Sequence, residues 1–296
     1  MALHKLLAVT VGDTFLPGIT AHTVSPGGEV RGEVSAGAQF PTAVFLSAVR
    51  PRITMTSKAV AAVMAVTGTA GAEITSATPL KIYLAELDAF GQQMETGKII
   101  TATDGLLVPR QLRLSHRQDA TLTLEAVLRS PDGSAAPLAD ESGAMPAAPT
   151  LPADDQRHTL QSLSVGVGDL GCLADVAVDF GVNVDSFGCS SDLYDKHITA
   201  EQGTTPTLTA TAFNVDQAAA LKFQTATEAT HANASLVLRR YDASQSAGFV
   251  TDELTLTFDG VTNVDSITAD GPATAQIAIR TTCRYDGTNH PIIISA

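Results

Sequence analysis

Pro51-Arg52-Ile53-Thr54-Met55-Thr56 returns later in the chain as Pro206-Thr207-Leu208-Thr209-Ala210-Thr211. Both stretches open on proline, then alternate polar and apolar residues, and place two threonines at the same positions. The offset is 206 − 51 = 155 residues, just over half of the 296-residue sequence. Such alternation is how a half-buried strand reads. A repeat at fixed spacing has to be settled before any other reading of the chain.

The register holds at further places, in order. Val9-Thr10-Val11-Gly12-Asp13 matches Val165-Gly166-Val167-Gly168-Asp169. Leu80 to Ala89 lines up with Ala234 to Ala243, and Lys98 to Gly105 with Glu253 to Gly260. Asp132-Gly133 and Pro137 recur as Asp286-Gly287 and Pro291. Each match alone is weak, because Asp-Gly is a common turn pair. Their collinearity predicts a mainly β protein: two tandem copies of a β-sandwich or β-barrel-like domain, each with one short α-helix. The first domain is expected over residues 1–133 and the second over 158–296. Residues 134–157, rich in Ala, Pro, Asp and Ser, read as the linker between them.

Local signals fill in each half. Ile19 to Val34, with Pro26-Gly27-Gly28 inside it, suggests a hairpin. Ala43 to Val49 suggests a buried strand. Ser57 to Val66 is Ala-rich, with Ser57 as N-cap and Gly68 beyond its end, so a helix is expected there. Asn214 to Leu221 follows its own strand at nearly the same distance and predicts a matching helix. Leu80–Glu86, Lys98–Thr103, Gln111–Ser115 and Ala120–Leu128 read as strands, with turns at Asp104-Gly105 and Pro131-Asp132-Gly133. In the second half, Asp175 to Asp185 reads as two short strands, and Pro291 to Ser295 as a last one.

Composition excludes several function classes. Lys and Arg total 18 against 31 Asp and Glu, so the net charge is −13. A surface this acidic repels phosphate and argues against sequence-reading of nucleic acid. It suits a wall that DNA passes without sticking. Trp is absent and aromatics are 5%, so the cores must be built from Val, Leu, Ile and Ala. No stretch reaches the 18 apolar residues of a membrane helix, and the N-terminus reads as a first strand and not as a signal peptide. Cys172, Cys189 and Cys283 are odd in number and all lie in the second half. They fit free thiols in a reducing compartment better than a disulfide framework, a Cys172–Cys189 bridge being the alternative.

Catalytic, cofactor and metal residues are expected to be absent. Gly166-Val167-Gly168-Asp169-Leu170-Gly171 matches a dinucleotide fingerprint, but a period-two stretch follows it where a helix is needed. The histidines, His4, His22, His116, His158, His197, His231 and His290, make no zinc-binding spacing. Asp154, Asp155 and His158 lie in or beside the linker and read as solvated charge. Cys189, in Phe187-Gly188-Cys189-Ser190-Ser191-Asp192, is the one nucleophile to weigh, with no histidine nearer in sequence than His197. Arg110, Arg113, His116 and Arg117 form the only basic cluster, and it lacks interleaved aromatics to stack bases.

A doubled β-unit without an active site suits a closed assembly, because fusion halves the number of pieces that a ring needs. Asp179-Phe180-Gly181-Val182-Asn183-Val184-Asp185, Thr205 to Thr211 and the helix after it, with Pro51 to Val66 as first-half counterparts, resemble the tail tube proteins of long-tailed bacteriophages. That resemblance implies a virion structural protein, assembled in the host cytoplasm, whose stacked pseudo-hexameric rings form a DNA conduit. Its implied partners are itself, other tail proteins, and DNA passing without specific binding; the duplication predicts three chains per ring, six being the alternative. It implies no cofactor, enzyme activity or membrane contact. Another baseplate, tail or capsid-decorating part, or a tandem β-sandwich binding module, is the alternative expectation.

Overall fold

The structure is a computed structural model. It describes residues 3–147 except 35, 37, 38 and 42, and residues 157–295 except 166–168, 190–191, 202–204, 214–229, 242–248, 270–274 and 286–289. The fold is mainly β, with antiparallel sheets throughout. In the first half the elements are β1 (Leu3–Val11), β2 (Thr14–Phe15), β3 (Ile19–Ser25), β4 (Gly28–Glu33), β5 (Ala43–Val49), β6 (Arg52–Ser57), α1 (Val60–Thr67), β7 (Ala72–Ile74), β8 (Leu80–Leu87), β9 (Gln93–Ala102), β10 (Gly105–Ser115), β11 (Thr121–Leu128) and β12 (Leu138–Ala144). The second half contributes β13 (His158–Ser164), β14 (Leu173–Asp179), β15 (Asn183–Phe187), β16 (His197–Glu201), β17 (Thr207–Ala212), β18 (Thr230–Tyr241), β19 (Phe249–Thr268), β20 (Gln276–Cys283) and β21 (Ile292–Ser295).

One sheet runs β12-β9-β8-β1-β2. A larger one runs β13-β18-β19-β20-β17-β14-β10-β11-β6-β3, with β21 on β19 and β7 on β10. The hairpins β4–β5 and β15–β16 stand apart as two-stranded sheets. Alternation decides which face is buried. In β6, Ile53, Met55 and Ser57 are buried while Thr54 is exposed, and in β17 Leu208, Ala210 and Ala212 are buried between half-exposed threonines. The inward residues of both sheets, together with Val60, Val63 and Met64 of α1, form one aliphatic core that continues through both halves.

The pairings of the two halves correspond strand by strand. In the first half they are β1–β8, β8–β9, β9–β12, β10–β11, β11–β6, β6–β3 and β4–β5. In the second they are β13–β18, β18–β19, β19–β21, β19–β20, β20–β17, β17–β14 and β15–β16. Irregularities recur as well. The register slips between Leu6 and Ala8 and again between Leu160 and Ser162. It slips between Pro109 and Gln111 and again between Val264 and Ser266. It slips between Ile19 and Ala21 and again between Leu173 and Asp175. Arg129 pairs with Asp104 as Arg284 does with Asp259. Gly18, at φ 67, has its counterpart in Cys172, a non-glycine held at φ 55. Bulges are placed features of a fold, so their recurrence is a sharper likeness than strand count.

Several expectations need correcting. Ile19 to Val34 is not a hairpin: β3 pairs with β6 and β4 with β5. Pro26 cannot donate a ladder bond. Gly27 turns at φ 67, and its carbonyl accepts the Arg50 N–H at 3.1 Å, so the chain changes sheet there. Ser57 does not cap the helix. It ends β6, its hydroxyl donating to the Pro17 carbonyl and accepting the Ala59 N–H, and Ala59 stands at the N-cap with no side-chain bond. Residues 134–157 are not wholly a linker, because Leu138–Ala144 forms β12 along β9. The matching helix expected at Asn214 to Leu221 lies outside the described residues.

Asp259-Gly260, aligned with the turn pair Asp104-Gly105, lies inside the long strand β19. A Cβ on Gly260 would run into the Thr282 carbonyl, and one on Gly105 into the Val127 carbonyl. Gly105 marks the point where the chain passes from one sheet to the other, and Gly260 the point in β19 where pairing with β18 ends and pairing with β20 begins. Gly105→Ala and Gly260→Ala are each expected to lower unfolding stability by about 1–3 kcal/mol, as forced overpacking does. Urea midpoints measure this.

Candidate assembly interface

The two halves join through β10 and β14. Gln111, Leu112, Arg113, Leu114 and Ser115 lie opposite Asp179, Val178, Ala177, Val176 and Asp175. The Phe180 N–H donates to the Arg110 carbonyl at 3.2 Å, and the His116 N–H to the Ala174 carbonyl at 3.0 Å, at the two ends of this ladder. Hydrogen-bonded pairs alternate along an antiparallel ladder. Val176 and Val178 therefore also turn their backbone bonds toward β10.

The hairpin β15–β16 reaches back over the first half and seats on the outer face of β10 and β11. Val184 is buried there with Val108 and Val127, and Leu106, Val182 and Ile198 pack around them. Burying a valine stabilises by about 1.5–3 kcal/mol, so this small dry cluster outweighs the exposed ion pairs nearby. Arg110 donates to the Val182 carbonyl and pairs with Glu125. Beyond the valines, the buried Asp195 accepts the Ser186 hydroxyl at 2.5 Å and meets Arg50 at 3.2 Å. Its carbonyl accepts the Ser130 N–H, and the Gly133 carbonyl accepts the N–H groups of Leu193 and Tyr194. Gly133 is at φ 80, where a Cβ would run into the Asp192 side chain, so the close approach here requires glycine.

Both partners of this joint have open counterparts. β3, the counterpart of β14, has β6 on one side and no described strand on the other. Residues 262–268 of β19, the counterpart of β10, have β20 on one side and no described strand on the other. β3 and residues 262–268 of β19 are thus left without a described neighbour on the side where their counterparts pair with each other.

The residues weighed for chemistry lie, where described, in separate parts of the fold. Cys172, Cys189 and Cys283 are free thiols. Cys189 sits in an exposed turn, its N–H donating to Asp192. The His197 ring stacks on Phe187, with centroids 5.1 Å apart. His158 lies buried in β13, so its reading as solvated linker charge is corrected. Asp154, Asp155 and Gly166 to Gly168 lie outside the described residues, and the strand β14 follows Gly171. Among the described residues no group of three or more His, Cys, Asp or Glu is placed to hold a metal ion, and no helix is long and apolar enough to cross a membrane. The basic cluster divides: Arg110 belongs to the joint, Arg113 donates to the Gln111 side chain, and Arg117 stands in a turn at φ 58. Sequence reasoning missed Val184, Ile198 and Asp195. The Asn183–Phe187 alternation showed a strand there, but nothing in it showed what the strand covers.

Cys283 gives a check on burial in the second half. Desolvation, with repulsion from Asp259, pushes its thiol up to about 12 from an ordinary 9.0. The stability this preference contributes is full below pH 9 and is lost as pH rises toward 12. At pH 8 iodoacetamide is expected to modify two thiols in the native chain and three in urea. Three in the native chain would contradict the burial. No protein-family model matches this chain, and no curated protein matches it.

Proposed function

We propose that the chain is a virion structural protein: a tail tube subunit of two tandem copies of one β-domain, which self-assembles into stacked pseudo-hexameric rings around a DNA conduit. The observation that carries this reading is the β10–β14 ladder with its two open counterparts. An interface between unlike edges is heterologous, and repeating it generates a ring or a helical filament. Applying the internal register between chains sets Ile267 opposite Val24 and Thr268 opposite Thr23 of the next copy. Three chains then supply six domains.

The outward face of the large sheet supports a passage lining. It presents Thr54, Thr56, Thr121, Thr123, Thr207 and Thr209, all half-buried or exposed. Some charges on that face pair, as Arg52 with Glu125 and Arg280 with Asp265. Small hydroxyls and paired charges give phosphates little basic track to bind there.

Negative-stain micrographs of the purified protein test the reading. Stacked tubes with a central bore are the expected result. Rings that never stack would move the assignment to a baseplate, distal-tail or capsid-decorating part. Isolated particles at every concentration would remove self-assembly and leave a tandem β-sandwich binding module.

A further inference from the structure

We propose that the hairpin β4–β5 of one chain seats on the outer face of β19 and β20 in a second copy of this chain, as β15–β16 seats on β10 and β11 within the chain. The inference rests on the self-assembly reading and names the surface that completes it. From Val30 and Val184 onward the hairpins share one register, although β4–β5 carries a slip between Glu29 and Val30 that β15–β16 lacks. Gly27 at φ 67 and Gly181 at φ 64 lead into them. Nine residues separate their strands in each case, 34–42 and 188–196. Val30 pairs with Leu46 where Val184 pairs with Ala200.

Exposure is what separates them. Val184 is 3% exposed and Val30 is 65% exposed. Val44, the counterpart of the packed Ile198, is 66% exposed, and Phe40, the counterpart of Tyr194, is 75% exposed. An arm carrying five exposed apolar side chains, these three with Val34 and Leu46, marks an interaction surface. Its internal twin shows what covers such an arm. The receiving face is equally open: Val261, Asn263 and Thr282 stand exposed where Leu106, Val108 and Val127 are covered.

The open pair is the more polar. Asn263 and Thr282 replace two valines, and Asp265, held by Arg280, stands where Arg110 reaches across the internal joint. The seat between chains is therefore weaker than the one within the chain. That suits a chain that must fold first and assemble afterwards.

Sedimentation velocity across a concentration series tests this, with the concentration of half-assembly as readout. Val30→Ser with Val44→Ser alters two side chains exposed in the lone chain. It is expected to raise that concentration at least tenfold while leaving the melting temperature unchanged. Asn263→Val with Thr282→Val rebuilds the dry internal seat and is expected to lower it at least tenfold. If wild type assembles and either pair leaves the midpoint unmoved, the hairpin seat is wrong and the strand ladder stands alone. If wild type does not assemble at any attainable concentration, the seat falls together with the assembly reading.

Discussion

Val24→Pro is expected to yield a folded monomer that no longer assembles. Val24 is the counterpart of Val178, whose backbone bonds turn toward β10 in the internal ladder. At an unpaired edge, a proline whose missing N–H faces solvent costs little. Across a joint between chains the same substitution removes a ladder donor and places a ring where the neighbouring strand must lie. A loss of about 3 kcal/mol corresponds to a rise of roughly 100-fold in the concentration needed to assemble. Val178→Pro supplies the contrast: there the ladder is internal, and the loss is expected in folding stability. Paired urea titrations and sedimentation runs separate the outcomes. A Val24→Pro chain that assembles like wild type would show that β3 is not an assembly edge.

Val184→Asp is expected to have the largest effect on the lone chain, lowering stability by about 3–5 kcal/mol. The side chain lies between Val108 and Val127, both essentially inaccessible to water. An aspartate there would be an unpaired buried charge, one of the few changes that reach this size. Its twin, Val30→Asp, places the same charge at the same hairpin position in solvent. It is expected to change folding stability by less than about 0.5 kcal/mol, as surface substitutions do. Urea denaturation of the two variants side by side measures the difference. Equal losses would mean that the two hairpins do not differ in what they cover.

Much of the fold was legible. Proline followed by period-two alternation located β6 and β17, and the matches at Leu80 and Lys98 located β8, β9 and their counterparts. These signals are local, and local signals survive in sequence. What failed was pairing. Pro26-Gly27-Gly28 has the composition of a hairpin turn, yet it is a corner, because the partner of β3 is β6, some 30 residues on. Asp259-Gly260 has the composition of a turn, yet it lies in β19, where the glycine is needed for close approach of the Thr282 carbonyl. Leu138–Ala144 looked like connector because its side chains are mostly exposed. Its place is fixed by backbone bonds to β9, which composition does not record.

The joint was the least legible part. Val30 and Val184 are the same residue type in matching strands, and nothing in sequence says that one is buried and the other is not. That difference arises because β15–β16 docks on β10 and β11, whereas among the described residues no sheet face covers Val30 and Val44 of β4–β5. The basic residues were misleading in the same way. The Arg110 side chain reaches across the joint, while Arg113 enters it through the strand ladder alone, its side chain donating to Gln111, and Arg117 stands in a turn beyond it.

Underlying both predictions is one idea: the contact that fastens the halves together is also the contact left vacant at either end. Native mass measurement of the assembled ring is its most direct test. Three chains of 30.6 kDa per ring are expected, six domains in all. A single 30.6 kDa species at every concentration, or rings of six chains, would contradict it.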